Sequence, residues 1–457
     1  MRYTAMFKDD KNEKLGNSTP SYSRLGVSTS TFSQKAFSKR LANFIGKTND
    51  HAIQAANPGG YYTGLWCRDS SYILKDWFLS GRIQEVLDQI LVIWSHQLDS
   101  GNNNDDRVVF GRGSPEMDFK PTIVNKQIKK RFHGSLPTSI YHEKKICEVF
   151  GKDPDIDSTA LMISTTSWIL SRLFAKNSSA ASSTNSSAPD SLNGVQKVLD
   201  FTIPRMHKAV EYLTSRDIDH DGLLEQGHNE DWMDSIMRAG KIVYSQACWI
   251  LALSNFSLLL QLNPKKQENS IEALMKLADT TIKAIEEKLW SEEDGAYIDV
   301  QETHHIGGPY RTLTQDISLY GVALSENTSR DSLSSNDYLG KEDLLQPRMI
   351  RRLDGKEEEE EEDGHRSSNY DRLVRTLGAI RRRAWKEKWP LVTEVELIST
   401  GPWHLKPYQY HNHTFWPGLL VSRCLLEVDL GNLKNAIFCC LLLLQKDILI
   451  YIVFTNG

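Results

Sequence analysis

Residues 241–262 (KIVYSQACWILALSNFSLLLQL) are apolar on nearly every face. A helix on the surface of a globular protein shows one apolar stripe, whereas a helix apolar all round is enclosed on all sides. In a chain of 457 residues, which buries roughly three quarters of its unfolded surface, such a helix suits an inner ring surrounded by an outer one. The remaining composition allows this. Hydrophobic residues make up 40% and charged residues 25%, an ordinary soluble balance. The net charge of −5 carries no basic stripe of the kind that marks a nucleic-acid partner.

The rest of the chain repeats the helical rhythm. Residues 1–30 are polar, rich in Ser and Thr, and expected to be loosely ordered. From about Thr31 onward, segments of helical period dominate and strands are hard to find, which predicts one domain over 31–457 with ten or eleven helices. Pro204 stands as a first helical residue, followed by Met206, Val210 and Leu213 at helical spacing. Two stretches interrupt the pattern. Residues 176–195 are Ser/Asn/Ala low complexity and predict a flexible surface loop. Residues 355–368, with acids unbroken from Glu357 to Asp363, predict a solvated insertion. Helix pairs without strands argue for an all-α toroid over an α/β fold.

Six cysteines (Cys67, Cys147, Cys248, Cys424, Cys439, Cys440) show no CxxC pair and no zinc-type spacing, so a reduced, cytoplasmic protein is expected. The N-terminus lacks the apolar core of a secretory signal. Residues 436–454 approach membrane hydrophobicity, but Gln445, Lys446 and Asp447 in their middle argue against a spanning helix. No membrane partner and no cofactor are expected.

Three clusters carry candidate chemistry. The first, GGYYTGLWCRDSSYIL at 59–74, places Arg68 and Asp69 at the start of a helix expected to begin near Ser70 or Ser71. Arg68 and Asp69 suit hydrogen bonds to sugar hydroxyls while the Trp66 indole stacks on the apolar face of a ring. A helix cap with a local ion pair explains the same residues equally well.

The second cluster, residues 217–249, packs Asp217, Asp219, Asp221, Glu225, Glu230, Asp231 and Asp234 around Trp232 before the buried helix. Glycosidic cleavage needs a carboxylic acid whose pKa is raised by apolar surroundings. Asp234, beside Trp and Met, is the first candidate, with Asp231 and Glu230 behind it. Caps and loop solubility are the plain alternative. Asp217, Asp219, Asp221 and Gly222 also open like a calcium loop, but His228 stands where its bidentate Glu is needed, and Asp-Gly turn chemistry accounts for the motif.

The third cluster, GPWHLKPYQYHNHTFWPG at 401–418, crowds Trp403, Tyr408, Tyr410, His411, Asn412, Phe415 and Trp416 into one loop, a composition suited to a sugar subsite. His411 and His413 find no third ligand at useful spacing, so no metal is expected.

Taken in order, Trp66-Cys67-Arg68-Asp69, Trp232-Met233-Asp234, Gly240 to Trp249, Trp290 to Asp299, and Tyr410-His411-Asn412 to Trp416-Pro417 resemble the clan of inverting (α/α)6-barrel glycosidases. Within it the order is most like that of the amylo-1,6-glucosidase domain of glycogen debranching enzyme; processing α-glucosidase, trehalase and neutral invertase are relatives. The resemblance spans about residues 50–430. It implies an (α/α)6 toroid, Asp234 as general acid, Arg68 and Asp69 lining the subsite of the released sugar, and Gln246, Asn412 and Trp416 as supporting or binding residues. Trp66, Trp232 and His411 join the expected substrate contacts.

There are departures from the pattern. His413 stands where a Gly usually follows the His-Asn pair, which narrows the loop. The clan's general base is a Glu downstream of that motif, whereas here the sequence ends as FCCLLLLQKDILIYIVFTNG. Glu394, Glu396 and Glu427 remain as carboxylates, none in the expected context. This reading therefore expects a toroid cut short at its C-terminus. The leading functional expectation is hydrolysis of an α-glucosidic bond with inversion. The alternatives are a silent sugar-binding remnant, a hydrolase for trehalose or a mannoside, and a helical scaffold that binds proteins.

Overall fold

The computed structural model describes residues 64–99, 107–111, 122–181, 190–263, 268–301, 310–331, 364–386, 389–393 and 406. All lie within the unit spanning 46–457. The third sequence cluster, with His411, Asn412 and Trp416, lies outside the described residues, as do Glu394, Glu396, Glu427 and residues 1–30.

The described part is helix-rich. Its helices are α1 (Cys67–Leu79), α2 (Ile83–Ser95), α3 (Lys126–Arg131), α4 (Ile156–Ala181), α5 (Asp190–Thr214), α6 (Val243–Leu262), α7 (Glu268–Lys288), α8 (Ser318–Asp331) and α9 (Gly364–Arg383). Helix α6 is the segment apolar on every face, and from Val243 to Ser257 it is buried without interruption. Among the described residues it is the one helix long and apolar enough to cross a membrane, yet 94% of that window is buried in protein. It is a core helix.

Four helices run side by side in the same direction. Arg68 on α1 meets Asp157 on α4, and two turns deeper Thr165 of α4 donates to the Ser71 carbonyl. Tyr244 on α6 meets Asp157, and further along Asn255 donates to Ser164. Ser254 and Asn255 of α6 then reach Asn327 and Glu326 of α8. Contacts that advance together along α1, α4 and α6 require those helices to be parallel, and α8 follows them because Asp316, just before it, faces Cys248 near the start of α6 while Glu326 and Asn327 meet its later turns. Helix α7 packs against α6, α5 against α4, and α2 against both α1 and α5. Helices α5 and α7 are amphipathic, with an exposed polar face each, as a second layer around a buried one requires.

Several features depart from the sequence expectations. Helix α1 starts at Cys67 rather than Ser70, because β1 (Leu65–Trp66) feeds directly into it. Pro204 lies inside α5, not at its start, and that turn lacks one N–H donor. Helices α4 and α5 extend into the low-complexity stretch as far as Ala181 and from Asp190, and α9 begins at Gly364 within the acidic insertion.

Strands are also present. β2 (Arg107–Phe110), β3 (Thr122–Ile123), β4 (Ser139–Tyr141) and β5 (Ile146–Val149) join β1 in a sheet of order β1-β4-β5-β2-β3, with β2 and β5 parallel and the other pairs antiparallel. β6 (Gly240–Lys241), β9 (Asp299–Gln301) and β10 (Tyr310–Thr312) form a second sheet. β7 (Trp290–Ser291) and β8 (Ala296–Tyr297) make the hairpin at WSEEDGAYID, and β11 (Trp385–Lys386) pairs with β12 (Trp389–Pro390). Each is two to four residues long, too short for a period-two pattern to register.

Candidate functional site

The parallel helices α1, α4, α6 and α8 bring their first turns to one place, and the candidate residues collect there. The sheet sets the first of them: β1 pairs with β4, and the Cys67 amide donates to the Thr138 carbonyl at 3.1 Å. Trp66, half-buried, meets Phe150 edge-on with centroids 5.3 Å apart. One residue into α1, the Arg68 guanidinium bridges to Asp157 at 3.3 Å and Asp155 at 3.5 Å. Asp69 beside it is exposed.

Asp155 and Asp157 were not singled out from the sequence, yet they form the floor of the site. Asp155 precedes α4 and accepts from Thr138 Oγ1 at 2.7 Å and Ser158 Oγ at 3.0 Å. Asp157, in the first turn, accepts from the Tyr244 hydroxyl at 3.2 Å. Both are buried, and burial, offset only in part by Arg68, pushes both carboxyls up from the ordinary aspartate range. The positive ends of the helix dipoles moderate the desolvation.

Asp234 lies on the loop before β6, half-buried. Burial raises its carboxyl to about 7; Arg68 opposes the rise, while Asp231, Asp69 and Asp157 add to it. A carboxylic acid held near neutrality is the property a proton donor needs.

The loop carrying Asp234 is anchored by a guanidinium that sequence reasoning missed. Arg238, 0% exposed, bridges to Asp231 at 3.0 Å, Asp299 at 2.9 Å and Asp316 at 2.7 Å. Asp299 Oδ1 also accepts the first amide of α6 at 2.9 Å, and Thr314 Oγ1 donates to Asp316 at 2.6 Å. Around the site Asp69, Asp155, Asp157, Asp231, Asp234, Asp299 and Asp316 outnumber Arg68 and Arg238, so its potential favours developing positive charge.

Other candidates serve the architecture. Trp232 is 8% exposed and its indole N–H donates to Asp316 Oδ2 at 2.8 Å. That bond ties the 231–234 loop to the turn before α8. Gln246 is fully buried and its amide both donates to and accepts from the Leu224 backbone, at 2.7 and 2.9 Å. It holds the loop at Leu224. Glu230 accepts from Arg216 at 2.7 Å and from the amides of Gly227 and Asp153 at 2.7 and 3.0 Å. A Cβ at Gly151 would fall 2.3 Å from Glu230 Cγ, so this carboxyl is clamped in place, and its pKa of about 7 reflects burial above all.

Asp217, Asp219 and Asp221 bring oxygens within 4.8 Å of one another, and ammonium groups already pair with two of them. Lys241 bonds Asp219 and Asp221 at 2.6 and 2.5 Å, and Lys288 bonds Asp221 at 2.8 Å. Asp217 accepts the amides of Asp221 and Gly222, which is the Asp-Gly turn anticipated from the sequence. Neither a protein-family model nor a curated protein matches the chain.

Proposed function

We propose that the protein is an inverting glycoside hydrolase acting on an α-glucosidic bond, with Asp234 as the general acid. The observation that carries the proposal is the state of Asp234: a half-buried carboxyl held to about 7, on a buried, ion-paired loop, beside Arg68 and Asp69. The shared direction of α1, α4, α6 and α8, backed by α2, α5 and α7, supports reading the fold as part of an (α/α)6 toroid. In such a ring the inner helices run parallel and their ends frame the cavity.

In this reading Asp234 gives its proton to the glycosidic oxygen as the bond from the anomeric carbon to that oxygen breaks. The leaving alcohol departs neutral, and the anomeric centre gains oxocarbenium character, which the excess of carboxylates stabilises. Water adds on the opposite face, and its proton passes to a second carboxylate about 6.5–9.5 Å from the first. That base is to be sought outside the described residues, where Glu394, Glu396 and Glu427 lie. Arg68 and Asp69 bind hydroxyls of the sugar being released, with Trp66 at its edge.

The test uses maltose, isomaltose, trehalose and an α-mannoside, with proton NMR following the anomer released. The proposal expects β-glucose first from at least one glucoside. Binding without release would make the protein a sugar-binding one, and release of the α-anomer would exclude inversion.

A further inference from the structure

Asp231 precedes Asp234 by one turn of loop, and both of its oxygens are engaged by groups of the protein. Oδ1 accepts the Met233 amide at 2.8 Å; Oδ2 accepts Gln226 Nε2 at 2.8 Å and Arg238 Nη1 at 3.0 Å. The side chain is buried, so it reaches no substrate. Its partners are themselves fixed. Gln226 exchanges backbone hydrogen bonds with Gly240 at 3.1 and 2.8 Å and accepts from the Ser245 hydroxyl, and Arg238 is tied to Asp299 and Asp316.

We propose that Asp231 is a positioning residue for Asp234: its carboxylate folds the turn that presents Asp234 and stands as a fixed, salt-bridged charge beside it. This rests on the reading of Asp234 as the proton donor. Among the described residues the charged groups that act on Asp234 include Arg68 and Asp69 from α1, Asp155 and Asp157 from the entry to α4, and Asp231 from its own loop. Among the carboxylates, Asp231 has the strongest effect in raising Asp234, and Arg68 acts against it. The turn makes that effect steady, because a charge held by three hydrogen bonds cannot swing away.

The test is a carboxyl-carbon NMR titration of protein labelled at aspartate, with the Asp234 resonance assigned by its loss in Asp234→Asn. Asp231→Asn keeps an acceptor for the Met233 amide but removes the charge. We expect the Asp234 midpoint to fall by about one pH unit, a tenfold loss of proton affinity, together with a lower Tm because buried Arg238 loses one of its three carboxylate partners. Asp231→Glu keeps the charge and should leave the midpoint near its original value. An unmoved midpoint in folded Asp231→Asn overturns the proposal. Should that variant not fold, a drop to the ordinary aspartate range in folded Asp231→Glu overturns it instead. Full hydrolytic activity in Asp234→Asn would sink the acid assignment itself, and the titration distinguishes the two failures.

Discussion

The Arg68 guanidinium lies 3.3 Å from both carboxylate oxygens of Asp157, joining the first turns of two parallel helices. It also serves Asp155 at 3.5 Å, so one cation answers two buried anions. Removing one member of a buried pair leaves the other charged and desolvated, at a cost of roughly 3–5 kcal/mol. Arg68→Met should therefore destabilise the fold by about that amount at pH 7. Urea unfolding measures it, and the loss should shrink at pH 5, where Asp155 and Asp157 take up protons readily.

Asp234→Asn should lower hydrolysis of an alkyl or glycosyl α-glucoside by about 10²–10⁴-fold. The fall should be much smaller for α-glucosyl fluoride, whose leaving group needs little protonation. Comparing kcat on the two substrates isolates the acid role, because a merely misfolded site slows both alike. In the wild-type protein, kcat/KM should decline as pH rises through about 7, the value at which Asp234 loses its proton.

Stability should also follow pH in a definite direction. Asp155, Asp157, Glu230, Asp234 and Asp299 are all raised by burial. A group with a folded pKa above its unfolded value stabilises fully below the unfolded pKa, and that contribution disappears as pH rises through the folded pKa. The window is therefore about 4 to 7. Tm should be higher at pH 5.5 than at pH 7.5 by calorimetry, and Asp234→Asn should narrow the gap. A Tm that climbs across this interval would contradict the buried state of these carboxyls.

Much of this was legible in the sequence, and the rest was hidden for physical reasons. Helix α6 declared itself because it is apolar on every face, a pattern that burial alone tolerates. Helix α4 is as deeply buried through Ser167, but its Ser158, Thr159, Ser164, Thr165, Thr166 and Ser167 disguise it, since hydroxyls satisfied inside a core look like surface residues in a sequence. That concealed Asp155 and Asp157 as well. Arg238 was invisible for another reason. Its partners Asp299 and Asp316 lie 61 and 78 positions away, and nothing local to MRAG signals their convergence. The hydrogen bonds of Trp232 to Asp316 and of Gln246 to Leu224 were equally hidden, because the residues crowding a motif do not tell which way each side chain points.

Gln246 offers the clearest separation of support from binding. Its amide completes two hydrogen bonds to one backbone residue, Leu224, from the first turn of α6. Leucine at this position has similar bulk and neither bond, leaving the Leu224 amide and carbonyl buried and unsatisfied at about 1–3 kcal/mol each. Gln246→Leu should thus lower stability by roughly 2–6 kcal/mol, while KM for a glucoside stays within about twofold in the fraction that remains folded. A large rise in KM with Tm unchanged would return Gln246 to the substrate and force a different account of the 224–246 loop.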